Sequence, residues 1–125
     1  MKSLRLCAVT LLLTVLMAGV GYSKVSAGAV DGPRQMPDRS VSARACRKFY
    51  IRFCGHATAR VRAYAGRDDQ DIDMEIYDSQ GNLVVSDHEP DSEPVCAWYP
   101  KREGVYMIKV INREDEPVAF DLYTN

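Results

Sequence analysis

Ile72–Asp87 reads IDMEIYDSQGNLVVSD, Val95–Arg113 reads VCAWYPKREGVYMIKVINR, and Ala119–Asn125 reads AFDLYTN. Apolar and polar residues alternate through each piece, and turn formers separate the pieces. That is the signature of short, half-buried strands. Ile72, Met74 and Ile76 fall on one face of the first strand, and Asp78-Ser79-Gln80-Gly81-Asn82 then makes a tight loop in which Gly81 adopts a positive φ cheaply. The chain returns through Leu83–Ser86 and passes an acidic loop from Asp87 to Pro94. It re-forms a strand at Val95–Tyr99, which Pro100 stops. Lys101–Gly104 turns into Val105–Ile111, whose Tyr106, Ile108 and Val110 point inward. After Asn112–Pro117 a last strand offers Phe120 and Leu122.

The same pattern extends upstream. Lys48–Cys54 places Phe49, Ile51 and Phe53 on one face with Tyr50 and Arg52 on the other, and Gly55-His56 turns the chain into Ala59–Tyr64. There Ala59, Val61 and Ala63 face inward while Arg60, Arg62 and Tyr64 face outward. About seven strands with short connections, and no helix beyond the N-terminus, predict an all-β, antiparallel, jelly-roll-like β-sandwich. Trp98 shares its face with Cys96 and is expected in the core.

The N-terminus sets the compartment. Lys2 and Arg5 precede an uncharged run from Leu6 to Ser23, and Val25-Ser26-Ala27 supplies small residues before a cleavage point. Residues 1–27 therefore read as a signal peptide, with an uncleaved membrane anchor as the rival reading. Cys7 lies inside the apolar run, where a lipidated cysteine should close it, so a lipoprotein signal does not fit. The remainder is expected to be exported, periplasmic or secreted, with residues 28–45 as a flexible leader and residues 46–125 as one small sandwich. An oxidising compartment makes Cys46, Cys54 and Cys96 disulfide candidates. An extended strand holds Cys46 and Cys54 apart, so a bridge from Cys96 to one of them is expected, free buried thiols being the alternative.

Charge is distributed unevenly. Removing Lys2, Arg5 and Lys24 from the 16 basic residues, with all 17 acidic ones kept, moves the net charge from −1 to −4. Arg34–Arg67 holds nine basic residues against Asp38 alone, whereas Asp68–Pro100 holds ten acidic residues and no Lys or Arg. Nucleic acid is excluded as a partner on this balance. The adjacency predicts that Arg60 and Arg62 pair across strands with Asp71, Asp73 and Glu75.

The order Asp71-x-Asp73, Tyr77-Asp78-x-x-Gly81-Asn82, Trp98-x-Pro100 and Gly104-x-Tyr106-x-Ile108-x-Val110 resembles the bacterial pre-peptidase C-terminal domain family, over roughly Phe49 to Asn125. The resemblance implies a jelly-roll-like sandwich related to collagen-binding domains, of a kind appended to secreted peptidases and also found as stand-alone exported copies. Some relatives in that superfamily bind calcium at one edge of the sandwich.

Two surfaces are candidates for contact. Asp68, Asp69, Asp71 and Asp73 surround one turn and offer the oxygen ligands that Ca²⁺ takes, although acidic turns also satisfy their own backbone. Tyr50, Arg52, Arg62 and Tyr64 form an outward basic-aromatic set suited to a peptide or a sugar. His56 and His88 stand in turns with no nucleophile or orienting acid at a telling spacing, so no catalytic residue is assigned and the chain is not expected to be an enzyme. The expected function is an exported, non-catalytic binding or structural module that contacts a protein or polysaccharide in the envelope or outside the cell. A module acting in trans on a secreted peptidase, as an accessory or inhibitor, is the alternative.

Overall fold

Two four-stranded antiparallel sheets pack face to face, built from β1 (Arg34–Val41), β2 (Cys46–Phe53), β3 (Ala59–Ala65), β4 (Ile72–Tyr77), β5 (Leu83–Asp87), β6 (Val95–Trp98), β7 (Gly104–Asn112) and β8 (Val118–Thr124). The first sheet runs β1-β8-β3-β6 and the second β2-β7-β4-β5. These strands come from a computed structural model that describes residues 27–125, so the expected signal peptide, Ala27 apart, lies outside the described residues. The antiparallel β-sandwich is as expected.

The alternation selects the core. Phe53, Ile72, Met74, Ile108, Phe120 and Leu122 are buried between the sheets. Each such side chain contributes about 1.5–3 kcal/mol when fully buried. Phe49 meets the edge of Phe120 at 6.1 Å between ring centroids. At one end of the sandwich Phe53, Trp98 and Tyr106 form a cluster, with Phe53 and Tyr106 centroids 4.9 and 5.1 Å from that of Trp98.

Three expectations are corrected. The leader is not flexible throughout: Arg34–Val41 is a strand, which brings the number among the described residues to eight, and it pairs with β8 from Arg34↔Thr124 to Val41↔Val118. Its ladder slips between Met36 and Arg39, where Pro37 lacks an N–H and Asp38 takes φ 57° while its N–H donates to Asp121 Oδ1. An edge strand tolerates that interruption. Further upstream, Ala29 N–H donates to Asn125 O while Val30 N–H donates to Arg52 O and Cys54 N–H to Gly28 O, so this short segment ties both sheets together.

Second, Arg60 and Arg62 do not face Asp71, Asp73 and Glu75, because β3 and β4 belong to opposite sheets. Arg62 stands beside Val95 and Tyr123 instead. Third, Cys96 makes no bridge to Cys46 or Cys54. Cys96 is a buried free thiol and Cys46 an exposed one.

Candidate functional site

The residues expected to make one binding surface are divided between the two outer faces. Tyr50 and Arg52 project from β2 on the second sheet, Arg62 and Tyr64 from β3 on the first. Alternation correctly turned all four outward but carried no information about which sheet each strand joins. On the first sheet Arg62 Nη1 donates to Tyr64 Oη at 2.9 Å, and Tyr64 meets Tyr123 edge-on at 5.4 Å. On the second, Arg52 pairs with Glu103 at 3.4 Å.

Two of the four carboxylates of the acidic turn are engaged by arginines, while Asp71 Oδ1 and Asp73 Oδ1 are buried without a hydrogen-bond partner. Asp69 accepts from Arg67 Nε at 3.1 Å, and Asp73, only 4% exposed, accepts from Arg113 Nε at 2.7 Å. Asp68 is exposed, and Asp71 is half-buried with its backbone N–H on Glu114 Oε2. Asp87 and Asp91 accept from backbone N–H groups of their own loop. Among the described residues no group of three or more His, Cys, Asp or Glu is arranged to hold a metal ion, so the expected calcium set is not brought together. Burial and the nearby charges of Asp73, Glu114 and Asp91 push the Asp71 carboxyl up, only partly opposed by Arg113.

What the fold does assemble is a basic tip at the end capped by the Phe53–Trp98–Tyr106 cluster. The β2–β3 connection and the β6–β7 connection both cross from one sheet to the other there, because Phe53 pairs with Gly104 and Ala59 with Trp98. The two crossings are clamped side by side. His56 N–H donates to Pro100 O at 2.8 Å, and the backbone of Gly55 lies directly against that of Arg102. His56 takes φ 61°, a conformation uncommon outside glycine although histidine is among the residues that adopt it more readily. Tyr99 is 60% exposed, and His56, Lys101 and Arg102 are exposed beside it.

Lys101 and Arg102 at the tip are unpaired cations. Arg44, Arg52, Arg67 and Arg113 find carboxylates, Glu103 of this same turn serving Arg52, whereas among the described residues Lys101 and Arg102, like Arg39, Arg47, Lys48, Arg60 and Arg62, have none within ion-pair distance. Reading Gly55-His56 and Lys101–Gly104 as separate turns missed this site. The signal available in the sequence was the small residue Gly55 next to a buried strand end, together with Pro100, which stops a ladder and frees the chain to cross over.

No protein-family model matches the chain, and no curated protein matches it. Among solved structures it is similar to that of Aeromonas hydrophila PliG, a periplasmic lysozyme inhibitor of g-type lysozyme. The TM-score is 0.54 at 13% identity, over 74% of this chain and 84% of that one. The likeness is one of fold.

Proposed function

We propose that this chain is an exported, non-catalytic module that binds a secreted hydrolase in trans and inhibits it, with a lysozyme as the target class and the His56–Tyr99–Lys101–Arg102 tip as the contact. The observation that carries the reading is the tip itself: two clamped crossings that present the unpaired cations Lys101 and Arg102 and an exposed tyrosine at one end of the sandwich. Glycoside hydrolases keep a pair of carboxyl groups flanking the scissile bond, so a protruding cationic and aromatic surface complements their cleft. The fold shared with a periplasmic inhibitor of g-type lysozyme supports the same target class. The resemblance to pre-peptidase C-terminal domains belongs to the proposal as well, since those modules also travel with secreted hydrolases.

The test is lysis of a peptidoglycan suspension by a g-type lysozyme with and without the exported chain. The expected result is a dose-dependent fall in rate that weakens with salt, as steering between opposite charges does. Lys101→Glu with Arg102→Glu, both exposed, should leave the melting temperature in place and remove most of the inhibition. A rate untouched by excess protein would end the lysozyme reading, and inhibition undiminished in the double variant would end the role of the tip.

A further inference from the structure

We infer that the open edge of β2 is a docking site for an extended peptide, which adds to the second sheet as an outer strand and turns a carboxylate inward to Arg39 and Arg47. The chain itself already uses part of this edge. Ala29 bridges Phe53 in antiparallel register, with Val30 N–H on Arg52 O at 2.9 Å and Cys54 N–H on Gly28 O at 2.8 Å. In an antiparallel ladder the N–H and C=O of one residue point to one side, and those of the next residue point to the other. Arg52 and Cys54 therefore point away from β7, whereas Ala45 O accepts from Asn112 N–H on the β7 side. Cys46, Lys48 and Tyr50 share the direction of Arg52. Among the described residues nothing bonds to their outward backbone groups, since the chain leaves the edge at Gly32, φ 95°, to begin β1.

Of the four sheet edges, β2 is the one built to take a strand. It keeps an unbroken register with β7 from Cys46↔Ile111 to Phe53↔Gly104. The ladder of β1 slips between Met36 and Arg39, that of β5 slips opposite Ile76 and Tyr77, and β6 is four residues long with Pro94 before it. Two copies joined edge to edge would bring Arg47, Lys48 and Arg52 of one beside the same cations of the other, and charged side chains on an edge guard against that pairing. The occupant is therefore a different chain.

The seam beneath the edge selects the carboxylate. Register sets Arg39 opposite Phe120 and so on the inner face of β1, where its Nε is buried without a hydrogen-bond partner. Phe49 of β2 meets the edge of the same Phe120 ring. The Arg47 guanidinium stands 5.5 Å from the Phe49 centroid and donates from Nη1 to Ser40 O at 3.0 Å, which brings it beside the chain neighbour of Arg39. Asp38 is the only carboxylate in β1 and β2, it is exposed, and neither arginine has a carboxylate within ion-pair distance among the described residues. The outer face has no such preference, because Lys48, Lys109 and Arg52 are matched there by Glu75, Asp78 and Glu103. A buried guanidinium N–H without an acceptor is unfavourable, and a carboxylate is the strongest acceptor a peptide side chain offers. A strand that continues the line of Gly28–Val30 places alternate residues as Ala29 is placed opposite Phe53, with the side chain inward and the N–H turned away from β2. Their neighbours face outward and direct their N–H groups at β2.

Fluorescence anisotropy with blocked octapeptides tests this. A peptide of alternating glutamate and valine should bind, and its counterpart of glutamine and valine should bind at least about tenfold more weakly. With glutamates inward, the valine amides are the ones that meet β2, so N-methylating those should abolish binding while N-methylating the glutamate amides should change it little. Arg39→Met should weaken binding about tenfold without lowering the melting temperature, because it removes a buried donor that has no acceptor. Tyr50→Pro deletes one outward N–H at a 67% exposed edge position and should weaken binding as well. A glutamate peptide that fails to bind, equal affinity for the glutamine peptide, binding that survives methylation of the valine amides, or binding untouched by Arg39→Met would each overturn the proposal. So would an Arg39→Met protein that melts lower, or a dimer in sedimentation that Tyr50→Pro dissociates.

Discussion

Gly55 and Arg102 approach so closely that a Cβ on Gly55 would lie 2.5 Å from Arg102 Cα and 2.8 Å from Glu103 N. Both are backbone atoms, which cannot swing aside as the end of a long side chain can. Gly55→Ala must therefore push the two crossings apart and strain the bond from His56 N–H to Pro100 O. The expected cost is about 1–3 kcal/mol, the range for overpacking a filled site. The tip should lose its shape as well, so inhibition should fall by more than the stability change alone explains. Melting temperature and lysozyme inhibition measured on the same sample check both parts. Unchanged melting would mean that the crossings are not clamped.

How far this could be read from residues differs from element to element. Val61, Met74, Ile108 and Leu122 declare their strands because one face of each is buried. β1 declares nothing: RQMPDRSV is polar on both faces, and only Val41 in it is buried. Such an edge strand forms because β8 offers it a ladder, which its own sequence does not encode. Sheet membership is hidden for a related reason. Alternation tells which side of a strand is dry, whereas the neighbours of β3 are chosen by two crossings whose key contact, Gly55 against Arg102, spans distant parts of the chain. The tip was therefore invisible as a site even though every residue in it had been read.

The two free thiols among the described residues should differ sharply in reactivity. Cys46 is exposed at the start of the edge strand β2. Cys96 is buried, its Sγ 3.9 Å from Met74 O, and burial, reinforced by the charges of Asp87 and Glu75, pushes its thiol up to about 12. The thiolate is the reactive form, so Cys96 should be inert in the native chain. An aromatic disulfide reagent should modify Cys46 quickly and Cys96 only as fast as the protein opens. Cys46→Ser should remove the fast phase, and a fast phase surviving in that variant would refute the assignment.

Asn112 fastens the end of the sandwich opposite the tip. Its buried Nδ2 donates to Val41 O, Ser42 O and Glu116 O at 3.2, 3.0 and 2.7 Å, and its Oδ1 accepts from Glu114 N–H. Asn112→Ala leaves carbonyls without a donor and should cost about 1–3 kcal/mol. Asn112→Asp should cost more at neutral pH, because it turns a carboxylate towards those same oxygens, and it should recover part of the loss on acidification. Chemical denaturation at two pH values separates the variants. An aspartate variant no less stable than the alanine one would show that the amide donors do not hold the loops.

Two carboxyls on the β4 side should give opposite pH responses. Burial alone would raise the pKa of Glu75, which is 14% exposed, but hydrogen bonds from Tyr77 and His88 and the charge of Lys109 outweigh it and hold the group below its ordinary value. Its folded state thus binds fewer protons than the unfolded chain. The stability it contributes is present above the ordinary glutamate range and is lost as pH falls through the lowered value. Asp71 is displaced upward by burial and neighbouring carboxylates, so its charge is a penalty at neutral pH that disappears as pH falls through the raised value. Melting curves across the acidic range should therefore flatten for Glu75→Gln in the window just below the ordinary glutamate value. Asp71→Asn should melt above the natural chain at neutral pH and converge with it in acid. If Asp71→Asn melts lower at neutral pH, the carboxylate has a favourable partner and the repulsion from Asp73, Glu114 and Asp91 does not govern this end of the sandwich.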